Sequence, residues 1–565
     1  MSNVTEFDAI VVGSGVSGGW AAKELTEKGL NVLMIERGRM VEHGKDYVTE
    51  HKPWWDNRFR NKPLREIYDR DYPEQQQLYA FSEMTRHYFI NDRENPYNGN
   101  EGNDSFLWHR ADVVGGRSLL WGRQVYRWSD LDFEANKKDG HGIDWPIRYQ
   151  DIAPWYSYVE KFAGITGQAE GLAHLPDGEF QKPMPMSAIE KHVKAGIEAN
   201  YDDRIMTMGR CAVLTEPLNG RAPCHYCGPC ERGCSTGSYF STQSATLPAA
   251  RATGRLTLMS DTVVEKLITN DAGDKISAVQ VIDRHTGERK RYSGKIVFLN
   301  ASTLASIQIL MNSKTAQHPN GLCNQSGTLG QYLMDHTLGS GAVGIFPLFN
   351  DLTTYGRRPN GIYIPRFRNV NAQDEVPFVR GYGYQGSGMR MGGTGMAAQY
   401  PGFGAGLKQA IESQGPWMMY LGGFGECLPF AHNAMSLNAN KVDSLGLPII
   451  NISFSWSDNE QVMREDLVTE AEAMLKAAGA VHTMTFKSNS RPGEGIHEMG
   501  GARMGHSPQD SVLNAHNQAH EINNLFITDG ACMTSSSCVN PSITYMALTA
   551  RAADYAVAQL AEGRI

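Results

Sequence analysis

Phe7-Asp8-Ala9-Ile10-Val11-Val12 is a short run of apolar and β-branched residues that feeds directly into Gly13-Ser14-Gly15-Val16-Ser17-Gly18. This is the pattern of a buried parallel strand entering a glycine turn. A helix is expected from about Gly19 to Lys28, then a second strand, Asn31-Val32-Leu33-Met34-Ile35, ending at Glu36-Arg37. Asp144-Trp145-Pro146-Ile147 precedes an amphipathic helix that carries Trp155, Tyr158, Val159 and Phe162 on one face. Leu256 to Leu299 alternates as short strands around a Thr286-Gly287 turn and predicts a small antiparallel insertion before a returning strand, Lys295 to Leu299. From about residue 340 to 455 the chain is rich in glycines, aromatics and strand-like runs, ending in Ile449 to Trp456, which predicts an antiparallel sheet. A helix over Asp458 to Ala478, a strand bearing His497 and a closing helix from Thr544 to Leu560 complete the pattern. His51 to about Asn100, with Trp54-Trp55 and Tyr88-Phe89, keeps neither period. It reads equally as an excursion covering a site mouth or as surface elaboration.

The order strand, glycines, helix, strand, acid is that of a dinucleotide site. Gly13 permits the tight turn, Gly15 lets the backbone approach a pyrophosphate, and Gly18 lets the helix pack on the sheet with its N-terminus aimed at the phosphates. Glu36 stands where a carboxylate accepts hydrogen bonds from ribose hydroxyls. The motif does not choose between NAD and FAD.

Near the other end, His497-Glu-Met-Gly-Gly-Ala-Arg-Met-Gly505 is followed by Thr528-Asp529-Gly530 and Asn540-Pro541-Ser542. Taking hydride from an alcohol carbon requires the hydroxyl proton to leave, and a neutral imidazole suits that task. An asparagine would hold the same oxygen. Taken with Val114-Gly115-Gly116-Arg117-Ser118-Leu119-Leu120-Trp121-Gly122, these segments resemble the glucose-methanol-choline (GMC) flavoprotein oxidoreductases, including the pyranose oxidases, the glucoside 3-dehydrogenases and the gluconate dehydrogenase large subunits. The resemblance covers most of the chain and implies an α/β fold: an FAD-binding Rossmann-like domain with an antiparallel-sheet substrate-binding domain. It implies His497 and Asn540 as the catalytic pair. Gly13, Ser14, Gly15, Val16, Ser17, Gly18, Glu36, Arg37, Gly115, Gly116, Ser118, Val264, Ala301, Asp529, Gly530, Asn540, Pro541 and Ser542 would line the FAD. Leu120 stands where pyranose oxidases carry the histidine that bonds the flavin covalently, so dissociable FAD is expected. The FAD-binding domain would comprise residues 1–50, 105–165, 205–340 and 495–565, the excursion 51–104, and the substrate domain 166–204 and 341–494.

The implied activity is oxidation of a secondary hydroxyl of a pyranose, at C3 by likeness to the glucoside 3-dehydrogenases, with electrons passed to an external acceptor. An oxidase of pyranosides or C-glycosides would use the same pair, and a non-catalytic electron carrier or metal-binding module would use the fold as scaffold. An NAD-linked dehydrogenase leaves the C-terminal segments without a role. Tyr382, Tyr384, Gln385, Trp417, Tyr420, Glu426 and His432 could touch a sugar, but aromatics in a glycine-rich sheet are more often core.

The chain has 565 residues and a net charge of -8, with no Lys/Arg block, which argues against nucleic acid as a partner. No apolar run reaches the roughly 18 residues of a membrane helix, and no signal peptide is evident. The expectation is a protein cytoplasmic as synthesised, or periplasmic if exported with a signal-bearing partner. Four of the nine cysteines, Cys224, Cys227, Cys230 and Cys234, follow the ferredoxin spacing C-x2-C-x2-C-x3-C, with Ser235 in place of the usual proline. They are expected to ligate a [3Fe-4S] or [4Fe-4S] cluster relaying electrons to a small subunit or cytochrome. Zinc, disulfides and an empty thiol-rich turn are the alternatives. Cys211, Cys323, Cys427, Cys532 and Cys538 show no ligand spacing and read as packed thiols.

Overall fold

Ala9 to Val12 are buried on both faces, as a central parallel strand requires. In the computed structural model, which describes residues 5–98, 105–354, 356–372, 374–392 and 400–565, the strand Thr5–Val12 runs between Val32–Ile35 and Arg289–Leu299, parallel to both. Leu256–Met259 continues the parallel order beyond Val32–Ile35. On the other side, Leu525–Phe526 pairs parallel with Val297 and Phe298, while Ile276–Asp283 pairs antiparallel with the earlier part of the same long strand and is followed by Thr262–Thr269. Among the described residues this sheet has seven strands. Leu256–Met259 therefore does not belong to the antiparallel insertion its alternation predicts. It enters the sheet as an edge strand, and the insertion is confined to the two strands after it.

Helices Val16–Glu27, Ser542–Ala561 and Tyr149–Ala163 pack in succession over this sheet. Trp20, fully buried, meets Tyr158 and Phe162 edge-on at 6.2 and 5.2 Å. The aromatic stripe of the amphipathic helix is thus what seats it against the first helix.

The second sheet is antiparallel, in the order His482–Lys487, Ser340–Phe346, Trp417–Gly425, Tyr382–Arg390, Ile362–Ile364 and Thr207–Met208. Helices Ala188–Asn200 and Asp458–Ala477 cover one face and bury Trp417, Met419 and Leu421 with Met463, Leu467 and Leu475. Thr207–Met208 pairs with Ile362 and Tyr363, so this sheet takes in a segment that the sequence division places in the FAD-binding part. Pro448–Ser453 pairs with Ala434–Val442 as a separate two-stranded ribbon.

His497 does not lie on a strand. Gly493, Ile496, Gly500 and Gly501 have φ values of +84°, +56°, +83° and +91°, and a left-handed backbone at such spacing cannot continue a ladder. Positions 1–4, 99–104 and 393–399, which the domain division assigns to the FAD-binding part, the excursion and the substrate part, lie outside the described residues. No helix among the described residues is long and apolar enough to cross a membrane.

Candidate active site

One cavity collects the N-terminal motif and the C-terminal segments. Gly13, Ser14, Gly15, Val16 and Ser17 line it, as do Glu36 and Arg37 at the end of the second strand. A Cβ on Gly13, whose φ is +90°, would fall 2.2 Å from the Asn300 carbonyl oxygen, and one on Gly18 would fall 1.9 Å from the Gly13 oxygen. Gly15 faces open space instead, with no atom within 4 Å of where a Cβ would stand. Gly18 therefore sits behind the wall and Gly15 forms it.

Glu36 is held by this turn. Its Oε2 accepts from the Ser14 amide at 3.0 Å and hydroxyl at 2.5 Å, and its Oε1 from the Gly38 amide at 2.8 Å. Burial pushes the carboxyl above the usual range, against the lowering effect of those donors. The Ser14 hydroxyl also accepts from the Gly115 amide at 2.7 Å, which docks the Gly115-Gly116 turn on the first loop. Gly116 and Ser118 line the cavity, with Gly115 just behind. Val264, Ala301, Asp529, Gly530 and Ser542 complete the wall, while Pro541 lies outside it. Asp529 accepts from Ser306 at 2.6 Å and from the Ala531 amide at 3.0 Å, and burial raises it to about 6. Leu78 and Ile90 bring the 51–98 segment to the same cavity.

His497 and Asn540 also meet there, with Asn540 Nδ2 3.4 Å from His497 Nε2. Two residues that no sequence signal singled out fix the imidazole. Asp335, fully buried, accepts from the backbone amides of Gly495 and His497, both at 3.0 Å. His336, also fully buried, contacts the Ser537 carbonyl through Nε2 and His497 Nδ1 through its own Nδ1 at 2.9 Å. A carbonyl oxygen only accepts, so His336 Nε2 carries the proton and its Nδ1 has the lone pair. His497 must then donate from Nδ1. Its Nε2 is left as a lone pair facing Asn540 and the cavity.

Burial, His336 and Arg117 all hold the His497 pKa well below the ordinary histidine value, so the ring stays neutral. Arg117 is itself held as a cation by its ion pair with Glu498 at 2.6 Å. Burial pushes Asp335 up to about 7, with Glu498 adding to the effect.

A GMC oxidoreductase N-terminal model matches residues 7–338, and a GMC oxidoreductase C-terminal model matches residues 429–549. The chain belongs to the GMC oxidoreductase family. It is 27% identical to a 2-methyl-1,2-propanediol dehydrogenase of Mycolicibacterium austroafricanum, over 98% of this chain and 96% of that one. It is 25% identical to the fructose dehydrogenase large subunit of Gluconobacter japonicus over the whole of both chains. The gluconate 2-dehydrogenase flavoprotein of Pantoea cypripedii is 23% identical over 97% of this chain and 93% of that one. Among solved structures, pyridoxine 4-oxidase from Mesorbium loti superposes with a TM-score of 0.59 at 14% identity, covering 97% of this chain and 98% of that one. That likeness shows the fold.

FAD is the cofactor of this family, and the cavity of this GMC chain fits it. Asn300 Nδ2, His109 Nδ1 and the Tyr545 hydroxyl are buried, line the cavity and have no partner among the described residues. Such groups are costly unless something polar lies against them. The helix Val16–Glu27 starts at Gly15 without a side-chain cap, which leaves its first amides for an anion. Leu120 lines the cavity and has no nucleophile to offer a flavin.

The cysteine loop departs from expectation. Among the described residues no three His, Cys, Asp or Glu side chains stand together as a metal site. Cys227 is exposed, Cys224 accepts from the Tyr226 amide at 3.4 Å, and Cys234 contacts the Thr236 hydroxyl at 3.3 Å. Cys230 is packed with Cys224 and Cys234 against the second sheet's core, and all nine cysteines are unpaired thiols. Ferredoxin spacing supplies the thiols, and the left-handed backbone at Tyr226, Gly228 and Gly233 folds the loop so that three of them lie against that core while Cys227 is exposed.

Proposed function

We propose that this GMC oxidoreductase is an FAD-dependent dehydrogenase that oxidises a secondary hydroxyl of a sugar or glycoside, at ring C3 of a pyranose. The observation that carries the chemistry is the polarity of the His497–Asn540 pair: an acceptor at Nε2 beside a donor at Nδ2, 3.4 Å apart on one cavity wall. An alcohol oxygen both gives and takes a hydrogen bond, and this pair offers it one of each. FAD, when bound, supplies the hydride acceptor. His497 Nε2 takes the hydroxyl proton as the carbinol C–H bond breaks, and Asn540 Nδ2 donates to the same oxygen as it becomes a carbonyl. The sugar class is supported by full-length similarity to a fructose dehydrogenase large subunit and a gluconate 2-dehydrogenase flavoprotein. C3 is supported by the resemblance of the whole layout to glucoside 3-dehydrogenases.

The test is anaerobic bleaching of the flavin by D-glucose, methyl glucosides, D-fructose, D-gluconate and 2-methyl-1,2-propanediol, with the product carbon assigned by NMR. A 3-keto-glycoside is expected. A lactone moves the reaction to C1, a 2-ketone to C2, and reduction by the diol alone supports a small-alcohol dehydrogenase, the second reading that the 27% identical relative favours. For reoxidation we propose an external one-electron acceptor presented by a small subunit or a cytochrome, reached in the cytoplasm or, if the chain is exported with a signal-bearing partner, in the periplasm. Fast reoxidation by air alone would make it an oxidase. The iron-sulfur reading of Cys224 to Cys234 rests on spacing alone, and iron with acid-labile sulfide in protein purified without oxygen decides it.

A further inference from the structure

We infer that Gln385 is a positioning residue that sets the direction of the hydrogen bond Asn540 makes to the substrate oxygen, so that the substrate sheet holds one half of the catalytic pair. This rests on the reading of His497 and Asn540 as that pair. Gln385 lies on the strand Tyr382–Arg390, and its Nε2 is 2.7 Å from Asn540 Oδ1 across 155 residues of sequence. It is a hydrogen bond by which the antiparallel sheet reaches the reacting end of the cavity.

An asparagine amide is nearly symmetric in shape and opposite in polarity at its two ends. Left alone, Asn540 could turn either end to the cavity. His497 Nε2 is a lone pair, because His336 and Ser537 together fix the proton on Nδ1, so an Asn540 oxygen facing it would meet acceptor with acceptor. The donor from Gln385 occupies the Asn540 oxygen and leaves the N–H pair for the cavity. Hydrogen-bond direction thus runs unbroken from Gln385 through Asn540 to the site of the substrate oxygen, and from there through His497 and His336 to the Ser537 carbonyl.

The test inverts one polarity while keeping the shape. Gln385→Glu presents a carboxylate that only accepts, so it turns the Asn540 N–H toward itself and the oxygen toward the substrate. When that carboxyl is protonated it donates again. The titratable groups around this position are His497 and, behind it, His336, with Tyr363 as the register partner on the neighbouring strand, the Arg117–Glu498 pair beside His497, and Asp335 beneath the His497 amide, whose carboxyl is pushed up to about 7 and titrates alike in variant and wild type, so that it cancels in their ratio. His336 is depressed to about 4 by burial and His497 lies well below its ordinary value, so neither titrates in the window used.

The rate of anaerobic flavin reduction is measured from pH 8.5 to 5.5 with the best substrate of the panel above, as a ratio to wild type at each pH. For Gln385→Glu the ratio should be about one-tenth to one-hundredth at pH 8.5, the effect of inverting one buried hydrogen bond, and should rise at least several-fold by pH 5.5. Gln385→Met, which fills the space and cannot donate, should lose a similar factor in kcat with a flat ratio. Binding of the keto product, read from the oxidised flavin spectrum, should weaken in the same pattern, because a ketone oxygen needs the Asn540 N–H. If Gln385→Glu gives too little holoprotein, the kcat loss and weakened ketone binding of Gln385→Met decide alone. A pH-independent ratio near one for Gln385→Glu, or Gln385→Met at wild-type kcat, overturns the inference while an inactive His497→Ala keeps the pair. Near-normal turnover by His497→Ala overturns the pair itself.

Discussion

Gly13, Gly15 and Gly18 belong to one turn, yet an added methyl group should do something different at each. At Gly13 the backbone has φ of +90° and the new Cβ would lie 2.2 Å from the carbonyl oxygen of Asn300. Left-handed backbone costs a non-glycine residue roughly 1–2 kcal/mol. The collision adds to this, because a main-chain oxygen at the end of the neighbouring strand has no rotamer into which it can move. At Gly18 the obstruction is the Gly13 oxygen at 1.9 Å. At Gly15, φ is -65° and no atom lies within 4 Å, so the methyl group costs folding almost nothing and occupies the space through which a pyrophosphate would reach the helix amides.

Gly13→Ala and Gly18→Ala should therefore lower the melting temperature of flavin-free protein by several degrees, since each kcal/mol is worth about 2–4 °C in domains of 150–250 residues and somewhat less in a longer chain. Gly15→Ala should leave that temperature within about a degree. Its FAD dissociation constant should rise by about a hundredfold, the loss of two backbone hydrogen bonds to a charged group at roughly 1.5 kcal/mol each. Flavin is stripped, melting is followed by intrinsic fluorescence, and FAD is titrated back by quenching of its own emission. Wild-type FAD affinity in Gly15→Ala would refute the assignment of this loop as the pyrophosphate cradle. An unshifted melting temperature in Gly13→Ala would refute the packing argument.

His497→Ala should retain its FAD and lose about two to four orders of magnitude in flavin reduction, the worth of a positioned base, whereas Asn540→Ala should lose less because the proton acceptor remains; equal losses in single-turnover traces would contradict the division of labour. The pH dependence should carry the sign of a depressed base: His497 works when neutral and its pKa lies well below 6.5, so reduction should hold its rate as pH falls through 6.5 and decline only in more acid solution. Running the series in Asp335→Asn separates the imidazole from a carboxyl pushed up to about 7, and a midpoint near 6.5 in both proteins counts against the neutral-histidine reading. Acid precipitation should release FAD into the supernatant, because Leu120 offers no attachment atom; colour retained in the pellet would place a covalent bond elsewhere.

What the sequence discloses is what is local. The strand, glycines, helix, strand and acid from Phe7 to Glu36 follow one another along the chain, so period and turn chemistry place them within three residues of the observed bounds. Asp335, His336 and Gln385 act on residues 161 or 162 and 155 positions away, and no local period encodes such a meeting. Thr207–Met208 is too short to show any alternation. His497 sits among apolar and glycine residues that invite a strand, and only the positive φ at Ile496, Gly500 and Gly501 shows why none forms. The cysteine loop is the opposite case. Its spacing is legible, but spacing fixes the order of ligands along the chain without fixing the direction of each Cβ, and Cys227 turns to solvent.

The cavity's reacting end is held from two sides that differ in kind. On the core side, Asp335 accepts two backbone amides, Gly495 and His497, and His336 completes its bonding on a carbonyl. These contacts fix where the imidazole is and which nitrogen is bare, whatever alcohol enters. On the sheet side, Gln385 holds Asn540 from one strand and Phe424 approaches His497 from the next, ring centres 6.2 Å apart. Those side chains belong to a sheet with its own hydrophobic core under Ala188–Asn200 and Asp458–Ala477. The bonds of Asp335 and His336 beneath the imidazole come from outside that sheet. On the proposed reading of His497 as the proton acceptor, an acceptor of fixed polarity under a separately supported wall would let one reaction serve alcohols of different shape, which accords with similarity along the whole chain to dehydrogenases of a diol, a ketose and a sugar acid, a likeness that speaks to the reaction more firmly than to the substrate.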